Sequence, residues 1–467
     1  MNTPKNVIWI TTDHMRVDNI NANGNSLMHT PNMDFLVKNG VSFTNCFAQS
    51  TVCMPSRASF MTGLYPQQTG VTRNGIDLPA DFKPTVATAF NAGNFLTAQI
   101  GKLHFQNHED KDFDPRAKNN YGFDIFHLSE EPGSYEDAYI NYLRTEFPEY
   151  VETFRVPRST SPKRSGESKG VVLDAPWEAS FSGFVSTIGE RFLATRWGDS
   201  RSKFMHLGFY APHPPLNPTK EMMAPYLDLD IPTGSMVDGE GDDKPDAIKN
   251  LFNQFKNKSK EEAENYIKHF YAMVSGVDLG IGKIIQKLKD IGQLEDTLII
   301  LGSDHGDSCT DHGLFLKHPS FYDEILNVPC VMFWPNGFKN KGHLENGLME
   351  NLDILPTILE LSNIPIPDTM MGRSYANALT GQESFKMRDD VFAFIHPGIS
   401  MVRTKDYKYI YYPDDIDVLY DYNDEKNEVV NQIDNADYAD ILKDMKNKCI
   451  SRLAKSCQSP LKKTGLF

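Results

Sequence analysis

The sequence predicts an α/β fold: a mostly parallel central sheet flanked by helices, then a smaller C-terminal α+β subdomain containing an antiparallel sheet. Three observations carry this reading. Through the first two-thirds of the chain, short apolar runs rich in β-branched residues alternate with segments of helical spacing, the rhythm of a parallel sheet covered on both faces. Several of those runs end in a polar cluster. After Asp390 the pattern changes to closely spaced short strands that close on a helix.

Taken in order, Val7–Thr12 reads as a buried strand and Pro31–Asn39 as a helix, with Met33, Leu36 and Val37 on one face and Gly40 as its stop. Val41–Ala48 alternates as a strand does. Pro55–Met61 reads as a helix with proline in its first turn and Gly63 beyond its end. Thr85–Ala92 is a helix stopped at Gly93, and Leu96–Ile100, Phe204–Tyr210, Thr297–Leu301 and Val328–Trp334 are buried strands. Residues 106–175, polar and charged, read as a long insertion over one end of the sheet, where insertions commonly shape a binding site. The C-terminal strands are Val391–Ile395, Ser400–Thr404, Tyr407–Tyr412 and Val418–Tyr422, and the helix is about Tyr438–Ala454. The expected division is 1–385 for the larger domain and 386–467 for the smaller.

Composition narrows the function. A 467-residue chain of net charge −15 does not offer the basic face that nucleic acid requires. An anionic small substrate remains compatible, because a local cationic pocket can sit in an acidic protein. No apolar run approaches the roughly 18–20 residues of a membrane span. Met1–Lys5 leads into a short apolar run without a secretory h-region, so with Met1 as the start the expected location is cytoplasmic. Six scattered cysteines do not form a disulfide framework.

Chemistry concentrates at the predicted strand ends, where open α/β sheets bind ligands. Thr12-Asp13-His14-Met15-Arg16 follows the first strand, Gly101-Lys102-Leu103-His104 another, Ala211-Pro212-His213 a third and Ser303-Asp304-His305-Gly306 a fourth, with Lys317 twelve residues past His305. Cys53-Met54-Pro55-Ser56-Arg57 opens a helix. Singly, each has a plain structural reading: an acid capping a turn, a buried Cys acting as a small hydrophobe, a surface lysine, a loop histidine. Asp307, Asp311 and His312 are read as loop structure. Jointly, acid–His pairs, a helix-opening Cys, and Arg, Lys and His at successive strand ends form a set too specific for coincidence.

The motif Cys53-Met54-Pro55-Ser56-Arg57 resembles the Cys-x-Pro-Ser-Arg signature of the type I sulfatases, the formylglycine-dependent branch of the alkaline phosphatase superfamily. Ala58–Gly63 continues that pattern, and Gly70–Asn74, Ile100–His104, Pro212-His213, Ser303–Gly306, Lys317–Glu324, Asn351–Thr357 and Leu419–Asp421 resemble further blocks in family order. The resemblance implies an alkaline phosphatase-like fold, with 1–385 as the catalytic domain, and hydrolysis of sulfate monoesters, expected on a sulfated carbohydrate. It also implies a partner, the maturation enzyme that oxidises Cys53 to formylglycine, whose hydrated diol is the nucleophile.

By the same resemblance, Asp13, Asp304 and His305, with the modified Cys53, hold one divalent metal. Arg57 steadies the nucleophile, while Asn74, Lys102 and Lys317 bind substrate. His213, or Lys317 with it, protonates the leaving alcohol, and His104 takes the proton that expels sulfate. The logic stands apart from the name, since attack on an anionic ester needs cations and a metal to neutralise charge. Two departures matter. His14 stands where many sulfatases carry a second acid, and is read as a hydrogen-bonding support. Asp304-His305 replaces the common Asp-Asn, a form shared with phosphonate monoester hydrolases and choline sulfatases. Ca²⁺ is the expected ion, and the imidazole leaves Mn²⁺ or another transition ion as the alternative. A phosphonate monoester or phosphodiester hydrolase with the same nucleophile is the second reading, and a non-catalytic binding protein on the same scaffold a minor third.

Overall fold

The computed structural model describes residues 3–107, 119–156, 170–195, 200–237, 239–424 and 427–458. Its centre is a sheet of β1 (Asn6–Asp13), β2 (Val41–Phe47), β3 (Phe95–Gly101), β4 (Ile125–Leu128), β5 (Ser202–Pro212), β6 (Thr297–Ser303), β7 (Asn327–Phe333), β8 (His343–Glu345) and β9 (Met349–Glu350). The spatial order is β4-β3-β5-β1-β6-β7-β2-β8, with β9 beside β2. β4, β3, β5, β1 and β6 run parallel, while β7 is antiparallel to both neighbours.

Alternation along β1 shows why both faces must be covered. Val7 and Trp9 enter one apolar cluster, whereas Ile8 and Ile10 enter the other. The helices Pro31–Asn39, Phe181–Ala194 and Lys260–Asp290 supply the second cluster, and Cys53–Phe60, Val86–Ala92 and Ile354–Leu361 supply the first. Thr85 accepts the Thr88 N–H as the cap of Val86–Ala92, so that helix starts one residue after the sequence-predicted boundary.

The 106–175 insertion needs correction where it is described. Ile125–Leu128 is not above the sheet but is its edge strand, paired in parallel with β3. Four residues carry too short a period to be read against a polar background. Residues 108–118 and 157–169 of that segment lie outside the described residues.

The second sheet contains β10 (Val391–Ile395), β11 (Ile399–Arg403), β12 (Tyr407–Tyr411) and β13 (Val418–Asp421), antiparallel throughout. Val391, Ala393, Met401 and Ile410 join the main core, while Phe392, Val402 and Tyr409 pack with Met445 and Cys449 of the helix Ala439–Ser456. Buried charge locks this unit to the main sheet. Glu350 receives the Tyr65 hydroxyl at 2.6 Å and the Phe392 N–H at 2.8 Å. It also pairs with Arg388 at 3.2 Å and with Arg452 of the C-terminal helix. Arg388 in turn forks onto Asp353, its Nε 2.7 Å from Oδ2.

Removing one partner from such a buried set typically costs about 3–5 kcal/mol, because the remaining charges lose their compensation. Glu350→Gln is therefore expected to lower stability by that amount in urea denaturation. An unchanged midpoint and slope would show that the arginines are compensated elsewhere.

Candidate active site

Four parallel strands deliver the polar residues in spatial sequence. β3 ends before Lys102, β5 before His213, β1 at Asp13 and β6 before Asp304; the order β3-β5-β1-β6 makes these strand ends neighbours. Adjacent strands lie about 4.8 Å apart, so side chains at their carboxyl ends come within ion-pair reach. Close approach is enforced at Gly208. A Cβ there would stand 1.9 Å from the Lys102 carbonyl oxygen, and the Lys102 N–H donates to the Gly208 carbonyl at 2.8 Å.

Cys53 arrives from the side, at the first position of the buried helix Cys53–Phe60. Pro55 is tolerated there because the opening N–H groups of a helix have no internal partner. Asn74, an exposed residue, accepts one of those donors, the Met54 N–H, at 3.1 Å. Ser56 Oγ donates to the Asp304 carbonyl at 2.5 Å and ties the helix to the end of β6.

The side chains meet around Cys53. Its Sγ is 2.6 Å from Lys317 Nζ, 3.3 Å from His305 Nε2 and 3.6 Å from Asp13 Oδ1. Arg57, fully buried one turn along the helix, places Nε 2.7 Å from Asp304 Oδ2 and Nη2 3.6 Å from Asp13 Oδ2. Lys102 Nζ lies 2.7 Å from Asp13 Oδ2 and 4.6 Å above the Tyr210 ring. His213 packs its ring against Tyr210 and His14, at 4.6 and 4.5 Å, with Nδ1 2.6 Å from the Pro214 carbonyl. His104 is two residues beyond Lys102 at φ +59°, its backbone N–H held by both oxygens of Glu130 at 2.9 and 3.0 Å.

The structure thus gathers Asp13, Cys53, Arg57, Lys102, Asp304, His305 and Lys317 at one point, with His213 beside it. Spacing alone had not disclosed the supports. His14 Nδ1 is hydrogen-bonded to Asp307 at 2.7 Å, and Asp307 also receives the Tyr266 hydroxyl at 2.9 Å. Asp307 is therefore not plain loop structure: it orients the imidazole next to Asp13. Its place in the run Asp304-His305-Gly306-Asp307 was the available signal, but its partner lies 293 positions away. Glu130 and Tyr210 were missed for the same reason.

Electrostatics follow from this crowding. Burial would raise the Asp13 carboxyl, but Lys102, His213, Lys317 and Arg57 outweigh it and hold Asp13 well below the usual carboxylate range. Burial, helped by Asp13, pushes the Cys53 thiol up to about 11 against the pull of Lys317. Burial, reinforced by Lys317, lowers His305 in spite of Asp304 and Asp13. His213 is likewise held low, by burial first. Lys317 is raised, since Cys53, Asp13 and Asp304 overcome its desolvation.

Asp13, Cys53, Asp304 and His305 each bring a ligand atom within 4.8 Å of the others, and all four are buried. Two carboxylates and an unprotonated imidazole are a donor set that fits one divalent ion.

Comparison with known proteins gives a consistent picture. The sulfatase family model matches residues 5–364, and the model of the N-sulphoglucosamine sulphohydrolase C-terminal region matches 310–455. An arylsulfatase of Clostridium perfringens is 25% identical over 410 residues, covering 81% of this chain and 79% of that protein. An N-acetylglucosamine-6-O-sulfatase of Bacteroides thetaiotaomicron is 24% identical over 484 residues, 93% of this chain and 83% of that one. Among solved structures, the phosphonate monoester hydrolase of Agrobacterium radiobacter superposes with a TM-score of 0.82 at 24% identity, covering 97% and 96% of the two chains.

A thiol titrating near 11 is protonated and weakly nucleophilic at neutral pH. In chain carrying the unmodified side chain, iodoacetamide at pH 8 is expected to alkylate the exposed Cys457 and to leave Cys53 untouched. Mass spectrometry of the two peptides checks this, and equal labelling would refute the reading of the Cys53 environment.

Proposed function

This chain belongs to the sulfatase family of sulfuric ester hydrolases, and on that footing we propose that it hydrolyses sulfate monoesters of a sulfated carbohydrate at Cys53. The observation that carries the proposal is the convergence at Cys53 of the cations Lys317, Lys102 and Arg57 with Asp13, Asp304 and His305.

Formylglycine made from Cys53 supplies an oxygen nucleophile where the buried thiol is inert. A divalent ion held by Asp13, Asp304, His305 and the modified residue supplies Lewis acidity toward the ester. Ca²⁺ suits the two carboxylates, and the imidazole extends the choice to Mn²⁺. The remaining work belongs to the side chains. Lys102 and Lys317 bind the non-bridging oxygens and carry the charge that develops on them. Asn74, which accepts the Met54 N–H at the opening of the Cys53 helix, is assigned to substrate binding beside them. Arg57, paired with Asp304, fixes the position of the nucleophile. His213 delivers a proton to the leaving alcohol: burial keeps it neutral in the empty site, and an arriving anion favours its protonation. His104, on the Lys102 strand end, accepts the proton released at the nucleophile when sulfate departs.

The carbohydrate assignment is supported by relatives such as the N-acetylglucosamine-6-O-sulfatase of Bacteroides thetaiotaomicron. One feature favours a second reading, hydrolysis of phosphonate monoesters. His305 occupies the late metal position, 3.3 Å from Cys53, where many sulfatases have Asn.

Co-expression with a formylglycine-generating enzyme is expected to yield an aldehyde at Cys53, detected by mass spectrometry of the peptide ending at Arg57, with Cys53→Ala inactive. On that protein, kcat/KM for an aryl sulfate should exceed kcat/KM for an aryl phosphonate monoester. The reverse ranking selects the second reading, and full activity with a free thiol overturns the nucleophile.

His213→Ala is expected to cost about 10²–10³ in kcat on a sulfated sugar and far less on nitrophenyl sulfate, whose leaving group departs without a proton. Equal losses on both substrates would remove His213 from the role of acid.

A further inference from the structure

The C-terminal sheet borders the segments that meet at Cys53. Its β10–β11 turn reaches the loop 71–75, where the His396 N–H donates to the Thr72 carbonyl at 3.3 Å. Just before that turn the Phe394 N–H donates at 2.9 Å to the carbonyl of Gln49, four residues ahead of Cys53. On its other side the turn meets the chain between β12 and β13, since a Cβ on Gly398 would stand 3.3 Å from Pro413. The adjoining Tyr412 hydroxyl donates at 3.1 Å to the carbonyl of Pro319, two residues past Lys317. The exposed His396 is therefore held between the two segments that carry Asn74 and Lys317.

Arg73 is the uncommitted charge at this rim. It is exposed and adjoins Asn74, which accepts the Met54 N–H at the opening of the Cys53 helix. Among the described residues its side chain has neither a hydrogen bond nor an ion pair. That is unusual in this chain: of the other described arginines, all but Arg373 are paired with a carboxylate. The acid closest to Arg73 in sequence, Asp77, is engaged by the Asn107 N–H at 2.6 Å. A guanidinium left free on a loop that a rigid scaffold holds beside a reacting centre is placed for recognition. Its planar fork matches the paired oxygens of a carboxylate or a sulfate.

Resting on the reading of this chain as a carbohydrate sulfatase, we propose that Arg73, with His396 of the C-terminal turn, forms a subsite for a second anionic group, a carboxylate or a further sulfate, on the sugar substrate. The buried cations are already committed. Arg57 serves Asp304, Lys102 serves Asp13 and Lys317 serves Cys53, and the scissile ester draws on the same set. A second oxyanion on the substrate must find its counter-charge at the rim, and in a chain of net charge −15 it needs a local cation to be tolerated there. Arg73 supplies that cation and His396 a further donor. The C-terminal sheet thereby takes part in the choice of substrate.

The test uses full-length protein matured at Cys53 and three substrates: a monosulfated sugar with no other charge, the same sugar disulfated, and a sulfated disaccharide that carries a uronate. Arg73→Gln is expected to raise KM about five- to tenfold on the disulfated or the uronate substrate, with kcat little changed and the monosulfated sugar unaffected. His396→Gln should move the same KM in the same direction. A response confined to the disulfated sugar identifies a sulfate subsite, and one confined to the uronate a carboxylate subsite. Equal changes on all three substrates report only the loss of one charge from the surrounding field and overturn the subsite, as does no change on any. Wild type that turns over an aryl sulfate but none of the three sugars overturns the carbohydrate reading, and this subsite with it.

Discussion

Two buried carboxylates, Asp13 and Asp304, face two buried cations, Arg57 and Lys102, with Lys317 closing the group from its half-buried position. None of these charges is stable alone in a dry interior, and each is tolerated because the others are present. This mutual compensation is the constraint from which the rest of the site follows. The surrounding cations hold the Asp13 carboxyl well below the usual carboxylate range, fit to hold a cation, and burial holds His305 low, able to ligate. The surplus of one positive charge over Asp13 and Asp304 suits an anionic ester, in a protein whose net charge is −15.

The same device holds the two sheets together. Glu350 and Asp353 sit at the start of the segment leading into the helix Ile354–Leu361, and Arg388 and Arg452 reach them from either end of the C-terminal unit. Asn351, between the two acids, donates to the Ser303 carbonyl at 2.9 Å. The charge network that fastens the smaller sheet is thus one residue from a contact with the end of β6, where Asp304 begins the buried polar cluster around Cys53. Displacement of the C-terminal unit would be felt at the end of β6 through this short path.

Precision at the reacting centre rests on backbone as much as on charge. His14 and His104 both hold left-handed conformations, at φ +75° and +59°, which cost energy in residues with a Cβ. Each is over-determined by a neighbouring carboxylate: Asp307 for the His14 ring, and Glu130 for the His104 backbone N–H. Sites that must hold groups to within a fraction of an ångström gain from such supports, because an imidazole anchored at one nitrogen presents the other in a fixed direction.

Most strands and the helix that opens on Cys53 were legible in the sequence, since burial on both faces writes continuous apolar runs and Gly or Thr marks the helix ends. The C-terminal strands were legible through their close spacing, and the site residues through motifs lying next to strand ends. Tertiary structure alone decided the rest. β4 is four residues long and too short for a period to emerge, so only its pairing with β3 makes it a strand. Asp307 and Glu130 acquire meaning from partners tens to hundreds of residues away, and no local pattern encodes a contact across that separation. A sequence specifies the chemistry each side chain can perform; which of those chemistries share one buried volume, and so shift one another's charge, is fixed by the order in which the strands lie side by side.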